Sequence, residues 1–334
     1  MIDNPTFSVI MACHNAAPYV QQAIASVVTQ TFVDWELIIV DDASQDDSLI
    51  YIEKAAIIEP RIKVIKFSKN AGAAMARNAA IKTAKGEWLA ILDADDIFLP
   101  VKLEKQLEII RQHNSNLVLV GGDCFHIDSE GLRGQEYKYT SNSKVLKTSL
   151  QRRLKFPPHS SLVYRKSAFL EVGGFNTLFA RSQDYELWLR LSDIGDFTSC
   201  TLPLIEYRLH STNISNQISK QGFSQLEYGV AGRVCQMLRN TGRADPSATG
   251  DAYLWHELMT HVAVIIRQSG YYEYINWKSN FKQDLQRSTN LPDKCHIIIT
   301  HISQSPSSFI FVMRERISGN DLPDKIFKSW IAKE

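Results

Sequence analysis

The chain is 334 residues long, enough for one large domain with an appendage or for two domains, and a content of 44% hydrophobic and 22% charged residues excludes wholesale disorder. A formal net charge of +1 offers no field for general nucleic-acid binding, and no nucleic-acid partner is expected. Five scattered cysteines (Cys13, Cys124, Cys200, Cys235, Cys295) without C-x-x-C spacing read as reduced thiols of a cytoplasmic protein. The start, Met1 to Pro5, lacks a leader pattern, and no apolar run nears the roughly 18 residues of a spanning helix.

The first elements alternate. Phe7-Ser8-Val9-Ile10-Met11 is a short β-rich run, followed by a polar turn at His14-Asn15 and a helical pattern from Pro18 to Gln30, where Val20, Ala23, Ile24, Val27 and Val28 recur at helical spacing. Trp35 to Val40 reads as a second buried strand. It runs into Asp41-Asp42-Ala43-Ser44, where Ser44 or Asp42 is expected to cap a helix reaching Ile58. A third strand, Ile62 to Phe67, leads through Asn70-Ala71-Gly72 to a helix ending near Ala84. Trp88-Leu89-Ala90-Ile91-Leu92 then forms a fourth strand, apolar enough to be buried on both faces. Strand and helix joined by short connections predict a mostly parallel α/β sheet with helices on both faces.

Two of these strands end in carboxylates, Asp41-Asp42 and Asp93-Ala94-Asp95-Asp96, at the sheet edge where open α/β folds bind ligands. An extended chain would put Asp93 and Asp95 on one side, and such a pair is tolerated when a divalent cation shared with phosphate lies between them. The alternative is an Asp-rich turn capping the helix Val101 to His113. The loop Asn70-Ala71-Gly72 is expected to offer free backbone N–H groups to a nucleotide. Arg77 is placed one turn further on to reach a diphosphate or to stand as a solvated helix-face cation.

Beyond that helix the alternation weakens. Leu117 to Val120 is a further strand, Asp128 to Ser143 a hairpin or a mobile loop, and Asp184 starts a helix on whose exposed face Glu186 and Arg190 are expected to pair. Leu204 to His210 forms a last strand-like piece. After residue 215 the pattern turns helical, with helices at Leu226–Leu238, Ala252–Ile266 and Tyr272–Leu285. Aromatic and basic residues then mix at Phe309–Arg316 and Ile326–Ile331. The expected division is therefore a catalytic domain over 1–215 and a helical extension over 216–334. The extension would serve for packing, for a homo-oligomer contact or for peripheral contact with the inner face of the cell membrane.

The pieces Ser8 to Asn15, Ser26 to Thr31, Glu36 to Ser44, Ala76-Arg77-Asn78 and Gly86 to Asp96 fall in the order seen in inverting glycosyltransferases of family 2, which this stretch resembles. The resemblance implies a GT-A fold and transfer of a sugar from a nucleoside-diphosphate sugar, a UDP-sugar foremost, to a hydroxyl of a glycan or lipid-linked acceptor in bacterial surface polysaccharide synthesis. It implies Asp42 at the base, Asp93 at the ribose, and Ala12, His14, Asn15, Asn70, Arg77 and Ala94 around the nucleotide. His14 stands where many relatives carry an aromatic. Asp95 would bind Mn²⁺ or Mg²⁺, with His210 of Tyr207-Arg208-Leu209-His210 at the metal or the diphosphate and Arg208 in support. Asp184 would be the catalytic base, preceded by Gln183 where relatives often have Glu, and His159, Ser160, Gln183 and Trp188 would border the acceptor. Two other readings stand beside this one. A sugar nucleotidyltransferase is disfavoured by the lack of glycine in Ala12 to Ala16, and an inactive sugar- or nucleotide-binding partner by the presence of both Asp95 and Asp184.

Overall fold

The structure is a computed structural model that describes residues 4–210, 219, 222–269 and 322–332. It divides into two compact units, Met1–Gln217 and Ile218–Glu334.

In the first unit a single sheet has the order β3-β2-β1-β4-β8-β6-β9-β5, with β7 paired on β6. Strands β1 (Phe7–Cys13), β2 (Trp35–Asp41), β3 (Ile62–Lys66) and β4 (Trp88–Ile91) are parallel. Helices α1 (Val20–Val28), α2 (Ser48–Ile58) and α3 (Ala73–Thr83) connect them. Side chains alternate between two cores, one on each face of the sheet. Phe7, Val9, Met11 and Cys13 of β1 join Leu37, Ile39, Ala90 and Leu92 in one core, whereas Ile10, Ile38, Val40, Leu89 and Ile91 enter the other. The near-continuous apolar runs follow from this, because both faces of these strands are covered.

Beyond β4 the sheet becomes mixed. β5 (Ile97–Phe98), α4 (Lys102–Gln112) and β6 (Leu117–Ile127) precede a hairpin to β7 (Arg133–Tyr137), so of the two readings for Asp128 to Ser143 the hairpin is the one formed. Then come α5 (Ser143–Gln151), a 3-10 turn at His159–Ser161, β8 (Val163–Arg165), α6 (Lys166–Glu171), α7 (Gln183–Ile194) and β9 (Asp196–Arg208). β8 is antiparallel to both β4 and β6, while β9 runs parallel to β6. Two expected caps are absent. The residue before α2 is Asp47 rather than Ser44 or Asp42, and α4 starts after Val101 without a side-chain cap, so the Asp-rich turn does not serve as one.

Glu36 ties the other end of the parallel strands together. It is buried, and it accepts the Ser8 hydroxyl at 2.7 Å, the Lys85 N–H at 2.6 Å and the Lys63 ammonium at 2.6 Å. Burial opposes its charge, but these donors outweigh that effect and hold the carboxyl below its usual range.

In the second unit α8 (Gln225–Asn240) begins with a capping box of Ser224 and Glu227, and α9 (Ala252–Gln268) is capped by Asp251. They are followed by α10 (Leu322–Ile331), in which Ile326 and Trp330 are buried and the Trp330 ring lies 5.5 Å from that of His261. Those two side chains pack inside the unit and are not offered to a membrane surface. The predicted helix Tyr272–Leu285 and the Phe309–Arg316 stripe lie outside the described residues. Among those residues no helix is long and apolar enough to cross a membrane.

Gly86 enters β4 beside β1, where an added Cβ would stand 2.5 Å from the Ser8 nitrogen and 2.7 Å from the Phe7 carbonyl carbon. Since backbone cannot yield as a side-chain end can, Gly86→Ala should cost about 1–3 kcal/mol in urea unfolding. An unchanged midpoint would contradict this packing.

Candidate active site

The parallel pairing brings three strand ends to one edge. Cys13 of β1 lies opposite Asp41, the Asp42 N–H donates to the Cys13 carbonyl at 2.8 Å, and the Leu92 N–H donates to that of Ile10 at 3.0 Å. His14 and Asn15 follow β1 and are exposed, Ala12 is half-buried, and Asn15 adopts φ 53°. The left-handed backbone lets Asn15 bridge two loops: its N–H donates to Ser44 Oγ at 3.1 Å and its Oδ1 accepts the Gln45 N–H at 2.8 Å.

Asp42 is buried and its carboxylate accepts the Ala71 N–H at 2.7 Å and the Gly72 N–H at 2.8 Å. Those N–H groups are therefore not open to a nucleotide, as the sequence had suggested, but fix the loop against β2. Asn70, exposed, reaches the Asp42 carbonyl at 3.4 Å.

The Asp93 to Asp96 segment is a turn, closed by the Asp96 N–H on the Asp93 carbonyl at 3.1 Å. The expected extended geometry gives way, and the carboxylates go to different partners. Asp93 pairs with Arg77 at 2.6 Å; burial opposes its charge, and the guanidinium prevails and holds the carboxyl below its ordinary range. Arg77 is itself buried, so it is not a solvated helix-face cation, and its Nη2 is engaged by Asp93. Asp95 meets His210 Nε2 at 2.9 Å, and burial followed by the Asp93 charge raises its carboxyl. Asp96, buried, accepts the Arg208 N–H at 2.8 Å and the Ser160 hydroxyl at 2.5 Å, yet burial and the charges of Asp95 and Asp93 push it well above the carboxylate range.

Arg208 clamps this turn from β9. Its Nε donates to the Asp95 carbonyl at 2.8 Å, its Nη2 to Gln22 at 2.8 Å, and its guanidinium lies 4.6 Å from the centre of the Tyr19 ring. Gln22, Tyr19 and Asp96 were not assigned from the sequence. Asp96 had a signal as the third acid of the run, whereas α1 and β9 meet through tertiary packing alone.

Three of the four residues expected to border the acceptor, His159, Ser160 and Trp188, are buried. Ser160 is fully buried and also accepts the Asp93 N–H at 3.1 Å, while Trp188, 7% exposed, donates to the Tyr164 hydroxyl at 2.7 Å. His159 is buried with its Nδ1 3.9 Å from Asp93, too far for a hydrogen bond, and its Nε2 is unpartnered among the described residues. Desolvated carboxylates need donors close by, and Ser160 is turned inward to serve Asp96. Ala94 is buried too. Gln183 remains half-buried in the first turn of α7.

Asp184, half-buried, accepts the Tyr185 N–H on Oδ1 at 2.7 Å, and its Oδ2 makes no hydrogen bond to a described residue. Its negative charge acts on His159, Tyr164 and Tyr207, together with that of Asp93. The helix is held by Glu186 and Arg190, which are not exposed as expected: Glu186 is fully buried, and Arg190 reaches it at 2.5 Å and the Gly174 carbonyl at 2.8 Å.

Among the described residues no three His, Cys, Asp or Glu side chains form a ready metal cage. Asp95 with His210 offers one carboxylate and one imidazole, and the Asp95 charge is opposed by its surroundings. That donor set suits a hard cation whose remaining ligands come from a diphosphate and water.

The sequence pattern of Glycosyl transferase family 2 matches residues 8–173. An uncharacterized glycosyltransferase of Methanocaldococcus jannaschii is 32% identical over 229 residues, 66% of this chain and 77% of that protein. The chain belongs to glycosyltransferase family 2. A family 2 member is an enzyme of sugar transfer, so the nucleotidyltransferase reading falls. The Escherichia coli UDP-Glc:alpha-D-GlcNAc-diphosphoundecaprenol beta-1,3-glucosyltransferase WfgD is 28% identical over 222 residues, 66% of this chain and 83% of WfgD. Among solved structures, Staphylococcus aureus TarS 1–349 in complex with UDP-GlcNAc aligns with a TM-score of 0.59 at 16% identity, covering 98% of this chain and 92% of that one. The shared architecture is the GT-A glycosyltransferase fold.

Burial, with Arg77 close by, lowers His159 to about 4, against about 6.5 for a free imidazole. Between those values the unfolded chain binds a proton that the folded chain refuses, so stability falls as pH drops through this window, by up to about 3 kcal/mol from this group. Urea unfolding of wild type and His159→Gln at about pH 7 and about pH 4.5 should show the larger loss in wild type. Equal losses would contradict a buried neutral imidazole.

Proposed function

We propose that the chain transfers a sugar from a nucleoside-diphosphate sugar, a UDP-sugar foremost, to a hydroxyl of a glycan or lipid-linked acceptor, with inversion at the anomeric carbon. The observation that carries this reading is the convergence at one sheet edge of Asp95 with His210 and of Asp93 with Arg77, with the uncommitted Asp184 oxygen within electrostatic reach of Asp93's surroundings. The names of two similar proteins support it: WfgD is a UDP-Glc-dependent glucosyltransferase acting on a diphosphoundecaprenol-linked sugar, and TarS is seen with UDP-GlcNAc. By analogy the setting is synthesis of a surface polysaccharide at the inner face of the membrane, where lipid-linked acceptors lie.

The nucleotide would lie along the ends of β1 and β2, bordered by Ala12, His14, Asn15, Asn70 and the loop that Asp42 holds, with Asp93 toward the ribose. A Mn²⁺ or Mg²⁺ ion held by Asp95, with His210 beside it, would supply Lewis-acid stabilisation of the charge on the departing diphosphate. Asp184 takes the proton of the acceptor hydroxyl as that oxygen attacks the anomeric carbon. The new carbon–oxygen bond forms on the face opposite the breaking bond to the diphosphate, which leaves with the electron pair. Attack from that side inverts the configuration.

Asp184→Asn keeps the size of the side chain and removes its basicity. Transfer should fall by about 10²–10⁴-fold, with UDP affinity within about twofold of wild type, since the base acts on the acceptor. Radiolabelled sugar transfer and calorimetric UDP titration measure the two. A variant that loses UDP binding in step with transfer would remove Asp184 from the role of base.

A further inference from the structure

The strand pairing that carries Arg208 to the carboxylate turn also builds a second feature beside it. β9 runs parallel to β6 with His126 opposite Tyr207 and Ile127 opposite Arg208, and β7 folds back on β6 with Cys124 opposite Tyr137. Three rings gather as a result. The His126 imidazole stacks on Tyr137 with centroids 3.9 Å apart and planes 21° apart, and it lies 5.6 Å from the Tyr207 ring. The exposed Lys155 places its ammonium 5.3 Å from the centre of the Tyr137 ring and 4.9 Å from that of Tyr139.

Tyr137 and Tyr207 pack on one side against the hydrophobic core, but the cluster is not wholly enclosed. His126, Tyr137 and Tyr207 are half-buried, and their side-chain polar atoms make no hydrogen bond to any described residue. Burial lowers the imidazole, so the His126 ring is neutral at pH 7 and the stack carries no charge of its own. The cluster is also continuous with the active site. Arg208, which follows Tyr207, holds Asp96 and Asp95, and the Tyr207 phenol is raised by burial and then by the charges of Asp96, Asp93, Asp95 and Asp184.

A flat, uncharged aromatic stack with free polar tips suits the ring of a carbohydrate, which offers C–H groups to the aromatic face and hydroxyls to the rim. A cation at the border suits an acidic group on the same molecule. We infer that His126, Tyr137 and Tyr207, bordered by Lys155, form an acceptor subsite that stacks a sugar ring and places an anionic group of that acceptor, phosphate or uronate, against the lysine. This rests on the transferase reading and adds to it the chemical class of the acceptor.

Saturation-transfer NMR on the full-length protein with N-acetylglucosamine 1-phosphate, glucuronic acid and methyl α-N-acetylglucosaminide tests it, with calorimetric UDP binding run on the same samples. Wild type should give a stronger signal with one of the acidic probes than with the neutral glycoside, and which acid it is separates phosphate from uronate. Lys155→Ala, at an exposed position, should weaken the acidic probe roughly tenfold and leave the neutral glycoside unchanged. Tyr137→Leu, which keeps apolar volume but removes the flat ring, should weaken all three. Both variants should keep wild-type UDP binding. A wild type that binds none of the probes, or variants that bind them as wild type does, would overturn the subsite, whereas wild type that fails to bind UDP would count against the transferase reading beneath it.

Discussion

Three carboxylates, Asp93, Asp95 and Asp96, share one turn at the end of β4, and their mutual repulsion in a buried setting must be offset from elsewhere in the chain. Each offset comes from a different element. Arg77 of α3 neutralises Asp93, His210 after β9 meets Asp95, and Asp96 is reached by Ser160 from the 3-10 turn and by the backbone of Arg208. The order of the sheet follows this need, because β8 and β9 are the strands that bring Ser160 and Arg208 to a turn far away in sequence. Even so, Asp95 and Asp96 remain harder to ionise than free carboxylates, so the offset supplied by the described residues is incomplete. In the proposed reaction, a diphosphate donor arriving with a cation would offset that cost.

The opposite end of the parallel strands solves the same problem in full. Glu36 is buried too, though less deeply than Asp96, and Lys63, Ser8 and the Lys85 N–H satisfy it and leave its charge favoured. One end of the sheet is thus closed electrostatically and the other is open. That contrast is what a structural carboxylate on one side and the proposed ligand site on the other would show.

The parallel half of the fold was legible because β1, β2 and β4 are covered on both faces and so read as apolar runs. β5 and β8 were not legible, being two and three residues long. The first half of β9 was missed because Thr198, Ser199 and Thr201 interrupt its apolar residues. Asn142, which caps α5 by accepting the Val145 N–H, was a local signal passed over in a polar stretch. In the site, Asp93, Asp95, Arg77 and Asp184 stood out by residue type and position. Sequence could not show that Arg77 pairs with Asp93, that Ser160 faces inward, or that Glu186 is buried and Arg190 half-buried, because each depends on which surface a neighbouring element covers. Spacing of four residues specifies a pair but not its exposure.

The most direct measurement of the central proposal, that this edge is a cation-dependent nucleotide-diphosphate site, is calorimetric titration of UDP into wild type and Asp95→Ala with and without Mn²⁺. The account predicts binding to wild type that strengthens with the metal and a variant in which the metal makes no difference. Binding of UDP that ignores Mn²⁺ in wild type, or that keeps its metal dependence in Asp95→Ala, would contradict it.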